Sequence, residues 1–246
     1  MPARVLVPDL DAATLVASLP EDETHHLVRV LRLGAGDTVR VFDGRGREWD
    51  AVVEAVAGRH ARVRLGAPAV PAPEPRVRVT LAMALVKGDK MDDVVRDAVM
   101  LGVTTIRPVV TAHGQVPRAG VRAPGLTSRW QRVAVASTKQ SGRAVVPHVA
   151  EVAPVTSLWD EGSGLRLLLA EPALADEAVV TPASLAGEPP PEVTLAVGPE
   201  GGWHPGEVAA AKAAGWRLLR LGGRTLRADA APIVALSALL AVWGEL

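Results

Sequence analysis

The chain has 246 residues, 48% of them hydrophobic, with 27 basic and 27 acidic side chains and no cysteine. That length and apolar content support a large core in one or two domains and exclude a disordered chain; the missing cysteines exclude disulfides, thiolate nucleophiles and Cys-based zinc sites. The charge sums to zero but is unevenly placed: residues 76–150 carry 12 basic and 4 acidic side chains, and no Asp or Glu falls between Asp97 and Glu151. Arg107, Arg118, Arg122, Arg129, Arg132, Lys139 and Arg143 lie in that acid-free interval, a local positive field of the kind that attracts phosphates.

Residues 1–70 read as a compact, short-stranded β-barrel. Val5 to Val7 is a strand, and Thr24 is placed to cap a short helix whose Leu27, Val30 and Leu31 share a face. Gly34 to Asp37 turns into a strand Thr38 to Phe42, Asp43-Gly44-Arg45-Gly46 is a hairpin signal, and strands Glu48 to Ala55 and Ala61 to Leu65 follow. Arg29 and Arg32 lie three apart on the helix and are candidate RNA contacts. The segment 71–76, with Pro71, Pro73 and Pro75 preceded by Pro68, is a stiff extended linker and the expected domain boundary.

The second domain, 77–246, alternates strands with helices. Val77 to Val86 is a strand, Lys87-Gly88-Asp89-Lys90 leads into a helix with Met91, Val94, Val95, Ala98 and Val99 on one face, and Asp89 is its expected cap. Thr104 to Val110 is the next strand. Ser128 is expected to cap a helix to about Ser141, along which Arg129, Arg132, Lys139 and Arg143 form a basic stripe, with Lys87 a further candidate for RNA. Leu165 to Ala170 is an apolar strand ending in Glu171-Pro172, and residues 173–192 read as a weak helix plus loop. Val193 to Val197 is a strand buried on both faces that stops in Gly198-Pro199-Glu200-Gly201-Gly202. His204-Pro205-Gly206-Glu207 opens a helix closed by Gly215, Trp216 to Leu221 is another strand, and a second glycine turn at 221–232 runs into an apolar helix to about Trp243. These alternations give an α/β domain, a mostly parallel sheet with helices on both faces.

Successive strand–loop–helix units put the loops at the carboxyl ends of parallel strands, the edge where open α/β sheets bind ligands. Glycines there leave backbone open to a flat ligand, although a tight turn alone would also use them. Neither phosphate-loop signature occurs, nor a serine-hydrolase elbow, and the six histidines show no metal-ligand spacing, so no metal is expected. Acids interrupt the N-terminus where a signal peptide needs apolar residues, and the longest apolar run, Ile233 to Trp243, is too short to span a bilayer, so a soluble cytoplasmic protein with no membrane partner is expected.

Gly198-Pro-Glu-Gly-Gly followed by Leu221-Gly-x-Arg-x-Leu-Arg resembles the SPOUT-class RNA methyltransferases, and within them the ribosomal RNA small subunit methyltransferase E family. The resemblance extends to His25-His26-Leu-Val-Arg-Val-Leu-Arg32 with Phe42-Asp43-Gly44, to Lys87-Gly-Asp-Lys-Met91 and Leu101-Gly102-Val103, and to Arg129-Trp130 and Gln140-Ser-Gly-Arg143 with Val146-Pro147. It departs at His204, where the family usually has a capping Ser, at Ala228-Asp229-Ala230-Ala231, at Asp97 and Met100, and at Lys139. What it implies is a PUA-like N-terminal domain, a C-terminal trefoil knot, a homodimer, and transfer of a methyl group from S-adenosylmethionine to N3 of a uridine in 16S rRNA of the small ribosomal subunit. Cofactor binding then falls to three loops: Leu169, Ala170 and Glu171; Val197, Gly198, Pro199, Gly201 and Gly202; Leu221, Gly222, Arg224 and Leu226. Arg227 is the candidate stabiliser of the uracil anion, and Asp229 the candidate proton acceptor, provided burial raises its pKa. The apolar last helix places Leu239 or Leu240 near the dimer interface; in the alternative, the N-terminal domain covers that helix in a monomer. A non-catalytic RNA-binding module would need the basic stretch without the glycine loops, a nucleotide-dependent hydrolase or ligase would need a phosphate loop or metal carboxylates, and a relative within the class would differ in target nucleotide.

Overall fold

The computed structural model describes residues 2–11, 13–115, 125–160, 163–172 and 179–246. Arg118, Arg122 and part of the expected helix and loop at 173–192 lie outside them. The chain divides into two compact units, residues 1–74 with 138–146, and residues 75–137 with 147–246.

In the first unit, strands β1 (Ala3–Leu6), β2 (Val16–Ser18), β3 (Thr38–Phe42), β4 (Glu48–Ala57) and β5 (His60–Ala69) form one sheet in the order β1-β3-β4-β5-β2. Only β1 and β3 run parallel. Along β5, Ala61, Val63 and Leu65 are buried while Arg62 and Arg64 are exposed, the period-two pattern of a half-buried strand. Those residues join Val5, Val39, Val41 and Val53 in a core that Leu27 completes. Helix α1 (Glu21–His25) opens after the extended Pro20, one turn before the expected cap; Thr24 is buried inside it and its hydroxyl has no partner. One π-type turn, His26–Val30, follows, and Arg32 is the only non-glycine among the described residues with positive φ, at 58°. The buried Arg4 guanidinium donates to Glu48 and to the carbonyls of Thr138, Lys139 and Arg143. The Thr138 and Lys139 carbonyls belong to the last turn of a helix, where the backbone dipole favours a cation.

The second unit is built on an eight-stranded sheet. Its strands are β6 (Arg78–Ala84), β7 (Thr105–Val110), β8 (His148–Val149), β9 (Ala153–Pro154), β10 (Leu165–Leu169), β11 (Val179–Val180), β12 (Glu192–Val197) and β13 (Arg217–Leu219). The order is β11-β13-β10-β12-β6-β7-β8, with β9 also on β7, and every pairing is parallel. The helices are α2 (Lys90–Met100), α3 (Leu126–Ser141), α4 (Pro205–Ala213) and α5 (Ala231–Val242). Alternate strand residues feed two cores. Leu81, Met83, Leu167, Leu195 and Leu219 pack with Val94 and Val95 of α2 and Leu236, Leu239 and Leu240 of α5. Ala82, Leu168, Ala196 and Leu218 pack with Ala211 of α4 and with Trp159, Trp203 and Trp216. Both faces being covered, the central strands carry consecutive buried apolar residues, as in Leu81 to Val86 and Leu195 to Val197, rather than a strict alternation. Leu239 and Leu240, one or the other expected near a subunit interface, are 2% and 1% exposed and face the chain's own core.

In the second unit two expected caps are not formed. Asp89 makes no side-chain bond to the start of α2; its carboxylate accepts instead from Arg129. Helix α3 starts at Leu126, ahead of Ser128.

Candidate active site

Strands β13, β10, β12 and β6 are neighbours, so the segments that leave their carboxyl ends meet along one edge of the sheet. They enclose a cavity of about 340 Å³. Leu169, Ala170, Glu171 and Pro172 line it from the end of β10; Val197, Gly198, Pro199, Glu200, Gly202 and Trp203 from the end of β12; Leu221, Gly222 and Arg224 to Asp229 from beyond β13; Ala231 and Lys90 from the starts of α5 and α2.

Backbone and indole contacts fix these loops. The Ala170 N–H donates to the Leu219 carbonyl at 2.9 Å, and the buried Trp203 indole donates to the Leu169 carbonyl at 2.9 Å. The Gly202 N–H closes a turn on Pro199 at 3.0 Å, with Gly202 at φ +70°. His204, in place of a hydroxyl cap, accepts the Gly206 N–H at Nδ1 (3.0 Å), and Glu207 accepts the His204 N–H (3.0 Å), so α4 keeps a reciprocal N-terminal cap. The other Glu207 oxygen accepts from the Ala112 N–H, tying the loop after β7 to the same helix start.

The glycines are not equivalent. A Cβ on Gly198 would lie 3.1 Å from the Trp203 indole, and one on Gly202 only 2.4 Å from a Glu171 carboxylate oxygen. Gly201, expected against the cofactor, does not line the cavity; its missing Cβ points at the His113 carbonyl, 2.9 Å away. The other eleven cofactor candidates all line it.

Charge concentrates at one end of the site. Arg227 donates to Asp229 through Nε (3.2 Å) and Nη2 (3.0 Å), and the Lys90 ammonium stands 3.9 Å from Asp229 and 3.8 Å from Glu200. Burial pushes the Asp229 carboxyl up, but the Arg227 hydrogen bonds, the backbone and the charges of Arg227 and Lys90 outweigh it and hold the group below the ordinary carboxylate range. The condition for Asp229 as proton acceptor is therefore not met; its geometry is that of an anchor for Arg227. The spacing of the sequence marks neither Lys90 nor Trp203 as a site residue, and it includes Glu200 only as backbone of the loop from Val197 to Gly202. The repeated lysines of Lys87-Gly-Asp-Lys90 were the available signal, and only Lys90 turns into the cavity.

The RNA candidates separate by partner. Arg29, Arg32, Lys87 and Arg132 are exposed, and Arg129 is exposed but paired with Asp89 and Asp92. Lys139 pairs with the buried Glu23, and Arg143, 3% exposed, pairs with Glu74, so these two are engaged within the first unit rather than presented to solvent. Among the described residues no three His, Asp or Glu side chains gather as metal ligands, and no helix is long and apolar enough to cross a membrane.

Residues 73–240 match the RNA methyltransferase domain model and residues 19–66 the RNA methyltransferase PUA domain model. Ribosomal RNA small subunit methyltransferase E of Synechocystis sp. is 33% identical over 96% of this chain and 77% of its own length. The protein of the same name from Mycobacterium bovis is 32% identical over 94% of this chain and 87% of its own. Among solved structures, ribosomal RNA small subunit methyltransferase E from Neisseria gonorrhoeae, bound to S-adenosyl methionine, superposes with a TM-score of 0.86 at 27% identity, covering 99% of this chain and 98% of that one. A Legionella pneumophila protein in complex with the same cofactor gives a TM-score of 0.86 at 27% identity over 98% of both chains. A parallel α/β domain with a ligand-sized cavity at the carboxyl edge of its sheet, a PUA domain before it, and relatives matched over most of their length lead to one assignment: the chain belongs to the ribosomal RNA small subunit methyltransferase E family of RNA methyltransferases.

Proposed function

We propose that this chain transfers a methyl group from S-adenosylmethionine to N3 of a uridine in the RNA of the small ribosomal subunit. The observation that carries the reading is the cavity built from neighbouring strand-end loops, with an arginine–aspartate–lysine cluster at one end. Its fit to an adenosyl group is physical. Leu169, Val197, Leu221 and Leu226 supply apolar lining, glycines leave backbone amides and carbonyls open, and about 340 Å³ lies in the range of small-molecule sites.

When bound, S-adenosylmethionine supplies a methyl on a sulfonium, a good leaving group. What the protein must add is alignment and stabilisation of the negative charge that appears on the uracil as its N3 proton leaves. Alignment of reactants contributes on the order of 7 kcal/mol in favourable cases. Arg227, 73% exposed and paired with Asp229, offers a guanidinium to that charge. Asp229 acts on the arginine, and the proton goes to solvent.

Arg29, Arg32, Lys87, Arg129 and Arg132 are proposed to hold the RNA, one chain to act with a second copy as a homodimer, and the location to be the cytoplasm, with the C-terminal segment following the trefoil path implied by the resemblance. The test is transfer of labelled methyl to small subunits that lack the modification, followed by identification of the product base. N3-methyluridine is expected. Methylation at another atom or base would move the protein to a different target within the class. No transfer, together with no thermal stabilisation by S-adenosylhomocysteine, would favour a non-catalytic RNA-binding module.

A further inference from the structure

Six ionisable side chains line the cavity: Lys90, Glu171, Glu200, Arg224, Arg227 and Asp229. Lys90 differs from the others in origin. It is the first residue of α2, whereas the rest belong to the loops after β10, β12 and β13. Its ammonium lies 3.8 Å from Glu200 and 3.9 Å from Asp229, so one cation reaches two of those loops. Glu200 is held from a second side by the Lys87 N–H, at 3.3 Å, and Asp229 from a second side by Arg227. The three partners are only partly exposed, 36% for Lys90, 25% for Glu200 and 22% for Asp229, so solvent weakens their attraction without removing it.

We propose that Lys90 is a positioning residue of the methyl-transfer site, which fixes Glu200 and Asp229 as a pair and, through Asp229, sets the aim of Arg227 and the net charge beside the base. This rests on the uridine-N3 reading. In that reaction the uracil N3–H bond breaks and its proton goes to water. The N3–carbon bond forms as the carbon–sulfur bond breaks, and the sulfonium leaves as a neutral thioether. The uracil therefore passes through increasing negative charge. Lys90 and Arg227 balance Glu200 and Asp229; Glu171 and Arg224 balance each other. Removing the ammonium leaves an excess of one carboxylate beside a base that must become anionic, and like charge at this range opposes ionisation.

The experiment measures methyl transfer against pH for the wild type, Lys90→Met, Lys90→Gln, Lys90→Arg and the double variant Lys90→Met/Asp229→Asn. The wild-type rate is expected to rise with pH to a plateau. Lys90→Met and Lys90→Gln should move the midpoint up by about one pH unit, with roughly tenfold loss at neutral pH recovered in alkali. Lys90→Arg should restore the midpoint, and so should the double variant, because it removes one charge of each sign. Two readouts do not depend on turnover. S-adenosylhomocysteine affinity by calorimetry should stay within a few-fold, and the Asp229 carboxyl, followed by carbon NMR, should titrate at higher pH in Lys90→Met. A rising wild-type profile with an unmoved midpoint in Lys90→Met and Lys90→Gln overturns the role of Lys90 alone. A wild-type rate independent of pH overturns the N3 reading, and the charge role of Lys90 with it.

Discussion

Three glycines of the two turns, Gly201, Gly202 and Gly223, lack a side chain for different reasons, and the difference decides what each substitution does. Gly202 sits at φ +70° with a Glu171 carboxylate oxygen where its Cβ would be, so Gly202→Ala must displace Glu171 from the cavity wall as well as strain the turn. We expect S-adenosylhomocysteine affinity, measured by calorimetry, to fall by about tenfold or more, the equivalent of ~1.4 kcal/mol. Gly223→Ala is the control: its Cβ meets nothing within 4 Å and it does not line the cavity, so affinity should hold. Gly201→Val would press on the His113 carbonyl, and its cost should appear as stability lost, about 1–3 kcal/mol by urea unfolding. Equal affinity in wild type and Gly202→Ala would remove Glu171 from the binding surface. The sequence marked all of these positions through their turn chemistry but could not rank them. Which glycine faces the cavity depends on Glu171 and His113, which lie 31 and 88 positions earlier in the chain.

At the scale of elements, α3 shows how a helical stripe divides. Arg129, Arg132, Lys139 and Arg143 were read from spacing as one basic face, but spacing does not reveal partners distant in sequence. Glu23 and Glu74 take up Lys139 and Arg143, and Arg4 donates to three carbonyls at the end of that segment. Arg132 remains exposed, so Arg132→Glu should weaken RNA binding and flatten its salt dependence while leaving cofactor affinity unchanged. An unaltered salt slope would make it an ordinary solvated residue. The Arg4–Glu48 pair, 9% and 2% exposed, has a different signature. Arg4→Met strands a buried carboxylate and should cost roughly 3–5 kcal/mol in urea unfolding, whereas Arg4→Met/Glu48→Met should recover much of it. A double variant no more stable than the single one would show that the carbonyl contacts at the helix end carry the stability.

For the whole molecule, the parallel sheet was legible because its central strands are short, mostly apolar segments such as Val193 to Val197, bounded by glycine and proline, a pattern that fits burial on both faces. The short strands β8, β9 and β11, two residues each, carry too little pattern to be read. The inclusion of residues 138–146 in the first unit rests on pairings such as Arg4 with Arg143, which are nonlocal. Helix α5 is apolar nearly all round and needs cover on nearly all sides, which the described residues supply only in part. Ala235, Leu236, Leu239 and Leu240 face the core, while Val234 is 44% exposed, Ala241 is exposed, and Ile233, Ala238 and Val242 are partly so. The helix has no charged residue, and Met100 of α2, the helix that packs on it, is 43% exposed. An uncharged helix face of this kind is the composition of a subunit contact. The proposed homodimer therefore uses the Val234–Ala238–Ala241 face, with Leu239 and Leu240 behind it. Light scattering at micromolar concentration should give twice the mass of one chain. Val234→Glu, which places a charge on that face without touching the core, should shift the mass towards one chain while the thermal transition of each unit survives. A wild-type chain of single mass with full methyltransferase activity would refute the dimer, and a dimer indifferent to Val234→Glu would move the contact elsewhere.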